Sequence, residues 1–167
     1  MLQLLATFFL AALNSHLAQP APAATRLDVL QEIWNFDIQA PSCPNPFNSG
    51  SHELISMTLV GTAQHDVADI DPATIKIWSE HCAAGPVTPL RYNYDDKTTP
   101  VLPGPGCDFT SQAPDGILDL NVQFRKTDVQ SGLGLGSCAP GTFVRVFVSA
   151  KLMNGCGIFG LDCVRVQ

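Results

Sequence analysis

The sequence lacks the residue spacings that mark most catalytic and metal sites. It contains no GxSxG nucleophile elbow, no CxxC pair, and no HxH or HExxH spacing. The four histidines, His16, His52, His65 and His81, are scattered over polar segments. These absences argue against nucleophilic catalysis and against structural zinc. We therefore expect neither an enzyme nor catalytic residues.

Positive charge is also scarce. The 167 residues include 9 Lys and Arg against 15 Asp and Glu, which gives a net charge of −6 at pH 7. No basic run offsets this balance, and an acidic domain repels both nucleic acid and anionic lipid. Nucleic acid is therefore not an expected partner.

Long hydrophobic runs are missing too. The apolar run at residues 4–13 is too short to span a bilayer as a helix, but it has the length of a signal-peptide core. Ala21 and Ala23 follow as the small residues of a cleavage site, although no Lys or Arg precedes the run. We predict a signal peptide at 1–23, a linker at 24–30 and one domain at 31–167, secreted or at the cell surface, with no membrane span in the mature chain. The alternatives are cleavage after Ala18 and a buried N-terminal segment of the mature fold.

What the chain does contain is alternation of apolar and polar residues, which is the periodicity of β-strands. The clearest strands are predicted at residues 117–125 and 142–152, where Leu118, Leu120, Val122 and Phe124 share one face of the first. Three shorter sets are Trp34, Phe36 and Ile38, then Ile55, Met57 and Leu59, then Ile75 and Ile77. Weaker strands are expected at 87–94 and 161–166.

Turn residues separate these runs. The 13 Pro and 13 Gly lie largely in clusters between them, and Asn154-Gly155 is a hairpin signal. About seven short strands punctuated in this way predict an all-β fold, an antiparallel two-sheet sandwich of the immunoglobulin-like or jelly-roll-like kind. Short helices are expected only near residues 25–32 and 66–70.

Cysteines are few but even in number. All six follow the predicted signal peptide: Cys43, Cys82, Cys107, Cys138, Cys156 and Cys163. An even count behind such a segment is typical of disulfides formed in an oxidising compartment. Three bridges are therefore expected.

The predicted strands restrict how these cysteines pair. The hairpin at Asn154-Gly155 favours Cys43–Cys163, which would tie the first strand to the last, and Cys82–Cys107 would clip the segment between them. Cys138–Cys156 remains as the default pair. A strand over 142–152 would hold those two residues roughly 35 Å apart, far beyond the reach of a bridge. Cys82–Cys156 with Cys107–Cys138 is the arrangement that avoids this conflict.

Several motifs occur in the order found in a family of exported bacterial β-sandwich domains. They lie at residues 36–48 (FDIQAPSCPNPFN), 59–62 (LVGT), 66–75 (DVADIDPATI), 89–96 (PLR and DD) and 115–124 (DGILDLNVQF). The chain resembles that family, with Ala40-Pro41 in place of Pro-Gly and with additional cysteines. The resemblance implies a domain of secreted or surface-anchored proteins, often beside calcium-binding repeats, with no assigned enzymatic activity.

The acidic residues near the last of these motifs could bind calcium. Asp115-Gly116-Ile117-Leu118-Asp119 matches the second half of a calcium loop, and Asp95 and Asp96 would add carboxylates if the two segments met in space. Calcium is thus the one cofactor that the sequence suggests. The alternative is a plain turn in which Gly116 supplies a positive φ and Asp119 faces water.

Aromatic residues indicate a contact surface. Phe143 and Phe147 lie opposite the inward valines of their strand, and Trp78, Tyr92 and Tyr94 are also expected to project outward. Exposed apolar patches usually mark partners, here a protein, a glycan or another copy of the chain. The alternative is a central strand covered by a loop or helix.

These observations favour a structural or interaction module without catalysis. A carbohydrate-binding domain with a calcium-braced loop is one alternative, and a subunit of an extracellular polymer that assembles by strand addition is another. A hydrolase is the least favoured.

Overall fold

The computed structural model describes residues 32–40, 42–48, 53–81, 85–100 and 113–167. The strands within these residues are β1 (Glu32–Ile33), β2 (Phe36–Ile38), β3 (Asn45–Phe47), β4 (Leu54–Leu59), β5 (Ile70–Ser79), β6 (Arg91–Asp95), β7 (Asp119–Arg125), β8 (Phe143–Leu152) and β9 (Gly157–Val166). One α-helix, α1, covers Lys126–Gly132, and 3₁₀ helices cover Val67–Asp69 and Leu135–Ser137. The predicted signal peptide and linker lie outside the described residues.

The strands form two sheets. Sheet A has the order β1-β9-β8-β5, with β3 also paired to β9, and sheet B has the order β2-β4-β7-β6. The pairings are antiparallel except those of β1 and β3, which run parallel to β9. The predicted all-β class with two sheets and few helices is confirmed. The hairpin at Asn154-Gly155 joins β8 to β9.

The core lies between the two sheets, where the predicted alternation places its apolar residues. Sheet B contributes the inward faces of β4 and β7, and Met57 lies opposite Val122 in their register. Sheet A contributes the inward face of β8. Fully or almost fully buried side chains of these three strands are Ile55, Met57, Leu59, Leu120, Val122, Phe124, Val144, Val146 and Val148. Burial of this apolar surface is the main stabilising contribution to the fold.

One residue of the predicted inward face is misplaced. Leu118 is 56% exposed, so its assignment to the core is wrong. Strand β7 begins only at Asp119, and Leu118 therefore lies beyond the end of the sheet. A Cβ atom on Gly61 would lie 2.1 Å from the Leu118 carbonyl oxygen, so a neighbouring backbone packs directly against this entry to the strand.

Four elements were not predicted, namely β1, β3, α1 and the 3₁₀ helix Leu135–Ser137, whereas the first 3₁₀ helix was. Strand β3 lies inside a Pro-rich cluster that we interpreted as a turn, and α1 follows β7 where no helix was expected. The 3₁₀ helix Val67–Asp69 confirms the short helix predicted at 66–70, with the Asp66 carboxylate accepting a bond from the Ala68 N–H as its cap. Of the helix predicted near 25–32, only Glu32 is described, and it belongs to β1.

The cysteine pairings require correction. Cys163 is disulfide-bonded, but Cys43 is not its partner, so the preferred Cys43–Cys163 bridge is wrong. The β3–β9 pairing does bring the Cys43 segment beside β9, where the Asn45 side chain donates to the Asp162 carboxylate and to the Cys163 carbonyl. Cys138 and Cys156 are free thiols at opposite ends of the unbroken strand β8. They therefore form neither the default pair nor the bridges to Cys82 and Cys107, two residues that lie outside the described ones.

Candidate functional site

The carboxylate of Asp119 is buried at the point where the loops after β4 and β6 meet the start of β7. Its Oδ1 accepts the Gly61 N–H at 2.9 Å, and its Oδ2 accepts the Lys97 and Thr98 N–H groups at 2.8 and 3.0 Å. The side chain is 0% exposed, so the interpretation that Asp119 faces water is wrong. The carboxylate instead fastens two loops to one strand.

The neighbouring acids are used in a similar way. Asp96 accepts the Asp115 N–H through Oδ1 at 3.1 Å and the Gly116 N–H through Oδ2 at 2.7 Å. Asp115 closes its own turn by accepting the Ile117 N–H, and Gly116 has the predicted positive φ of 92°. The segments at 95–98 and 115–119 therefore meet in space, as the calcium hypothesis requires.

Meeting in space does not by itself make a cation site. The carboxylate oxygens of Asp96, Asp119 and Asp115 accept bonds from backbone N–H groups, and Asp95 forms an ion pair of 3.1 Å with Lys97. Among the described residues, no group of three or more His, Cys, Asp or Glu side chains is arranged to hold a metal ion. Burial raises the pKa of Asp119 and the nearby Asp96 raises it further, while the three N–H bonds lower it. This chemistry suits loop bracing.

A second acidic group lies inside the sandwich and was missed at the sequence level. Asp162 of β9 accepts the Ile38 N–H and the Asn45 Nδ2 amide through Oδ2, both at 2.8 Å, and the Cys163 N–H through Oδ1. Asn45 also donates to the Cys163 carbonyl at 2.9 Å. Burial raises the pKa of Asp162 to about 7, and the Asp37 carboxylate nearby adds to the rise, although the bonds from Ile38, Cys163 and Asn45 oppose it. The group joins β2 and β3 to β9.

The predicted surface aromatics separate into two places. Trp78 and Phe147 are half-buried on the outer face of sheet A, where they form a patch with Phe159, which was not predicted. Ring centroids in this aromatic patch lie 5.7 to 6.0 Å apart, and the planes of Trp78 and Phe147 differ by 26°. Phe143 lies farther along β8, is 49% exposed, and has the Arg165 guanidinium 5.9 Å from its ring centroid.

Tyr92 and Tyr94 form the other group, on β6. They are 52% and 40% exposed, and their rings meet edge to face with centroids 6.1 Å apart. Every residue of β6 is exposed. Burial raises the pKa of the Tyr94 hydroxyl, with Tyr92 and Asp66 adding to the rise. The two tyrosines are exposed, as predicted, but the prediction that they project outward is wrong, because Tyr92 pairs with Val122 and Tyr94 with Leu120 on the inward face of sheet B at its edge.

The described part of the chain holds shallow depressions at its surface. One, of about 480 Å³, is lined by residues that include Thr62, Asp66, Asp69 and Leu118. Asp66 caps the 3₁₀ helix there and is thus committed to a backbone bond. Elsewhere His65 stacks on Trp34 at 4.6 Å with Glu32 at 4.0 Å from its Nε2, an arrangement that sequence spacing did not reveal.

Comparison with known proteins adds no identification. No family model matches the chain, and no curated protein matches it. In the residues that the structure describes, none of the helices has the length and apolar character needed to cross a bilayer.

Proposed function

We propose that the chain is an extracellular or cell-surface module that acts through contacts of its surface and performs no catalysis. The observation that carries the proposal is a contrast between the buried acidic residues and the exposed aromatic residues. The buried acids Asp119 and Asp162 each accept several hydrogen bonds within the fold, whereas Tyr92, Tyr94 and Phe143 are left exposed. Engaged acids suit a scaffold, and exposed aromatics suit a contact surface.

Export is supported by sequence features that lie outside the described residues. The apolar run at 4–13 and the small residues that follow it favour export. Within the described residues, the disulfide bond of Cys163 is typical of an oxidising compartment. The resemblance to exported bacterial domains supports the same location. The proposal needs no cofactor, because the acids that suggested calcium already have hydrogen-bond partners.

The test of this proposal is to express the whole chain with its own N-terminus and follow where it accumulates. We expect the protein outside the cytoplasm, shortened by about the length of a signal peptide, with fewer thiols available to an alkylating reagent before reduction than after. Full-length protein retained in the cytoplasm with every cysteine reactive would contradict the proposal. Replacement of three leucines in the apolar run by Asp is the matched control, because it should abolish export alone.

Carbohydrate binding is a second candidate, favoured by the aromatic patch of Trp78, Phe147 and Phe159. The planes of Trp78 and Phe147 differ by 26° and those of Phe147 and Phe159 by 30°, whereas Trp78 and Phe159 differ by 53°. The Trp78–Phe147 pair is the part of the patch that can stack against the C–H face of a sugar ring. Binding of the purified protein to immobilised glycans tests it. Trp78→Ala should remove such binding and Phe143→Ala, elsewhere on the same face, should leave it intact.

A further inference from the structure

The sheets of this protein differ in how their edges are protected. On one side of sheet A, β9 is paired with β1 near its start and with β3 near its end. On the other side, the outer edge of β5 is bridged by Val87, which exchanges two backbone bonds with Ile77 at 2.9 and 3.0 Å. Protection of this kind prevents a foreign strand from pairing with an open edge.

Sheet B is protected at one edge only. Strand β2 has three residues, all of them buried, and its Ile38 N–H is occupied by the Asp162 carboxylate. Strand β6 lies at the opposite edge, paired with β7 on one side. All five residues of β6 are exposed. Among the described strands, β6 is therefore the longest edge strand that is exposed at every residue, since β1, which is also exposed, has only two residues.

The sequence of β6 complements itself when two copies run antiparallel. In Arg91-Tyr92-Asn93-Tyr94-Asp95, centring the pair on Asn93 places Asn93 opposite Asn93 once, and places Tyr92 opposite Tyr94 and Arg91 opposite Asp95 twice each. Side chains opposite one another on an antiparallel pair lie close enough to interact, and opposite charges and aromatic pairs stabilise it. The two charged pairs and the Asn pair fall on one face, and the tyrosines fall on the other.

We infer that the chain forms a two-fold homodimer by antiparallel pairing of β6 with β6 of a second copy, which joins the two four-stranded sheets B into one continuous sheet. The same patch on both copies makes the contact, so the assembly closes at two chains. The interface is small, which places it among weak, concentration-dependent dimers.

The charged residues can reach the second copy without disturbing the fold. Arg91 donates through Nε to the Gln123 side chain at 2.6 Å, which uses one of the five N–H donors of its guanidinium. Asp95 pairs with Lys97 at 3.1 Å, but both side chains are about half exposed, and solvent screens such a pair strongly. Arg91 of the second copy can therefore pair with Asp95, either together with Lys97 or in its place.

The test uses charge reversal on the full chain, followed by sedimentation velocity over a concentration series that extends to the millimolar range. We expect the unaltered protein to shift from monomer to dimer. Arg91→Glu and Asp95→Arg should each reduce dimerisation at least about tenfold, because like charges then face each other twice. An equimolar mixture of the two variants should regain the dimer. In the mixed pair the two introduced side chains, of opposite charge, face each other, and the unaltered Asp95 of one copy faces the unaltered Arg91 of the other.

Control variants separate this interface from general effects of charge. Arg145→Glu makes the same charge change on the exposed outer face of sheet A and should leave dimerisation unchanged. Circular dichroism melting of each variant checks that it is folded. A protein that stays monomeric throughout, or an association that the reversals do not weaken or the mixture does not restore, would overturn the inference. This experiment is made on purified protein, so its failure leaves the proposed export and surface role standing, and retention in the cytoplasm would leave the dimer standing.

Discussion

At the scale of single residues, two buried aspartates determine how the loops and strands are held. Asp119 satisfies three backbone N–H groups from two loops, and Asp162 satisfies two backbone N–H groups and the Asn45 amide. A buried donor that loses its acceptor costs more than an average hydrogen bond contributes. These two carboxylates are therefore expected to be among the positions least tolerant of substitution.

For Asp119 we predict that replacement by Ala lowers the free energy of unfolding by about 2–4 kcal/mol, because the N–H groups of Gly61, Lys97 and Thr98 lose their acceptor. Urea denaturation followed by tryptophan fluorescence measures this. Asp95→Ala is the matched control at an exposed carboxylate and should change stability by less than about 0.5 kcal/mol. Equal effects of the two substitutions would show that Asp119 does not brace the loops.

For Asp162 we predict a dependence of stability on pH. Its pKa is about 7 in the folded protein against an ordinary value of 3.8, so between these values the folded chain holds a proton that the unfolded chain has released. The contribution of Asp162 to stability is greatest below about pH 4 and is lost as pH rises toward 7, by on the order of 2–4 kcal/mol.

Denaturation midpoints between pH 4 and pH 8 for the unaltered protein and for Asp162→Asn check this. The variant should lack most of the decline, and the part due to Asp119, whose pKa is raised in the same direction, should remain. Parallel pH profiles for the two proteins would refute the assignment.

At the scale of elements, most of the correct predictions came from the alternation of apolar and polar residues along the strands. Strands β4, β7 and β8 pack one face into the core, and apolar residues therefore recur at every second position of their sequences. Strand β3 could not be found in this way, because its pairing with β9 joins residues more than a hundred positions apart and Pro46 lies within it. Helix α1 has seven residues, too few for a clear helical period.

The same reasoning explains what was missed at the site. Asp119 was assigned to a solvent face because it alternates with Leu120, but its three donors come from loops at least 21 positions away in sequence. No local pattern encodes such partners. Exposure of Tyr92 and Tyr94 was predicted correctly. The position of β6 at the edge of sheet B could not be predicted, because it follows only from the order of the strands in the sheet.

The close approach of the chain at Trp34 and Phe36 to Gly160 of β9 gives a prediction at this scale. A Cβ atom on Gly160 would lie 2.8 Å from the Phe36 Cβ, 2.9 Å from Val148 Cγ1 and 3.1 Å from the Trp34 carbonyl oxygen. Gly160→Ala should therefore lower the free energy of unfolding by about 1–3 kcal/mol through overpacking.

Thermal unfolding of Gly160→Ala checks this, with Gly136→Ala as the control. A Cβ on Gly136 would meet only the end of the Gln130 side chain, at 3.3 Å, and that chain can move. If Gly160→Ala were as stable as Gly136→Ala, the packing around Gly160 would be looser than described.

At the scale of the whole molecule, stability is expected to be independent of calcium. The carboxylates of Asp96, Asp115 and Asp119 already accept backbone N–H groups, so a cation would compete with those bonds for the same oxygens. We predict an unchanged melting temperature between a chelator and millimolar calcium. If calcium raised the melting temperature and Asp96→Asn abolished that rise, the result would support the calcium-braced loop that was predicted for a carbohydrate-binding domain.

The parallel pairing of β1 and β3 with β9 has a consequence for how the chain acquires its structure. Glu32 pairs with Ile158 and Asn45 with Val164, so sheet A cannot assemble from its early strands until the last one has left the ribosome. Contacts between residues so distant in sequence also make folding slow. Strands β1 and β3 therefore remain unpaired until β9 has been made, in a state that a translocation channel or a chaperone can accept.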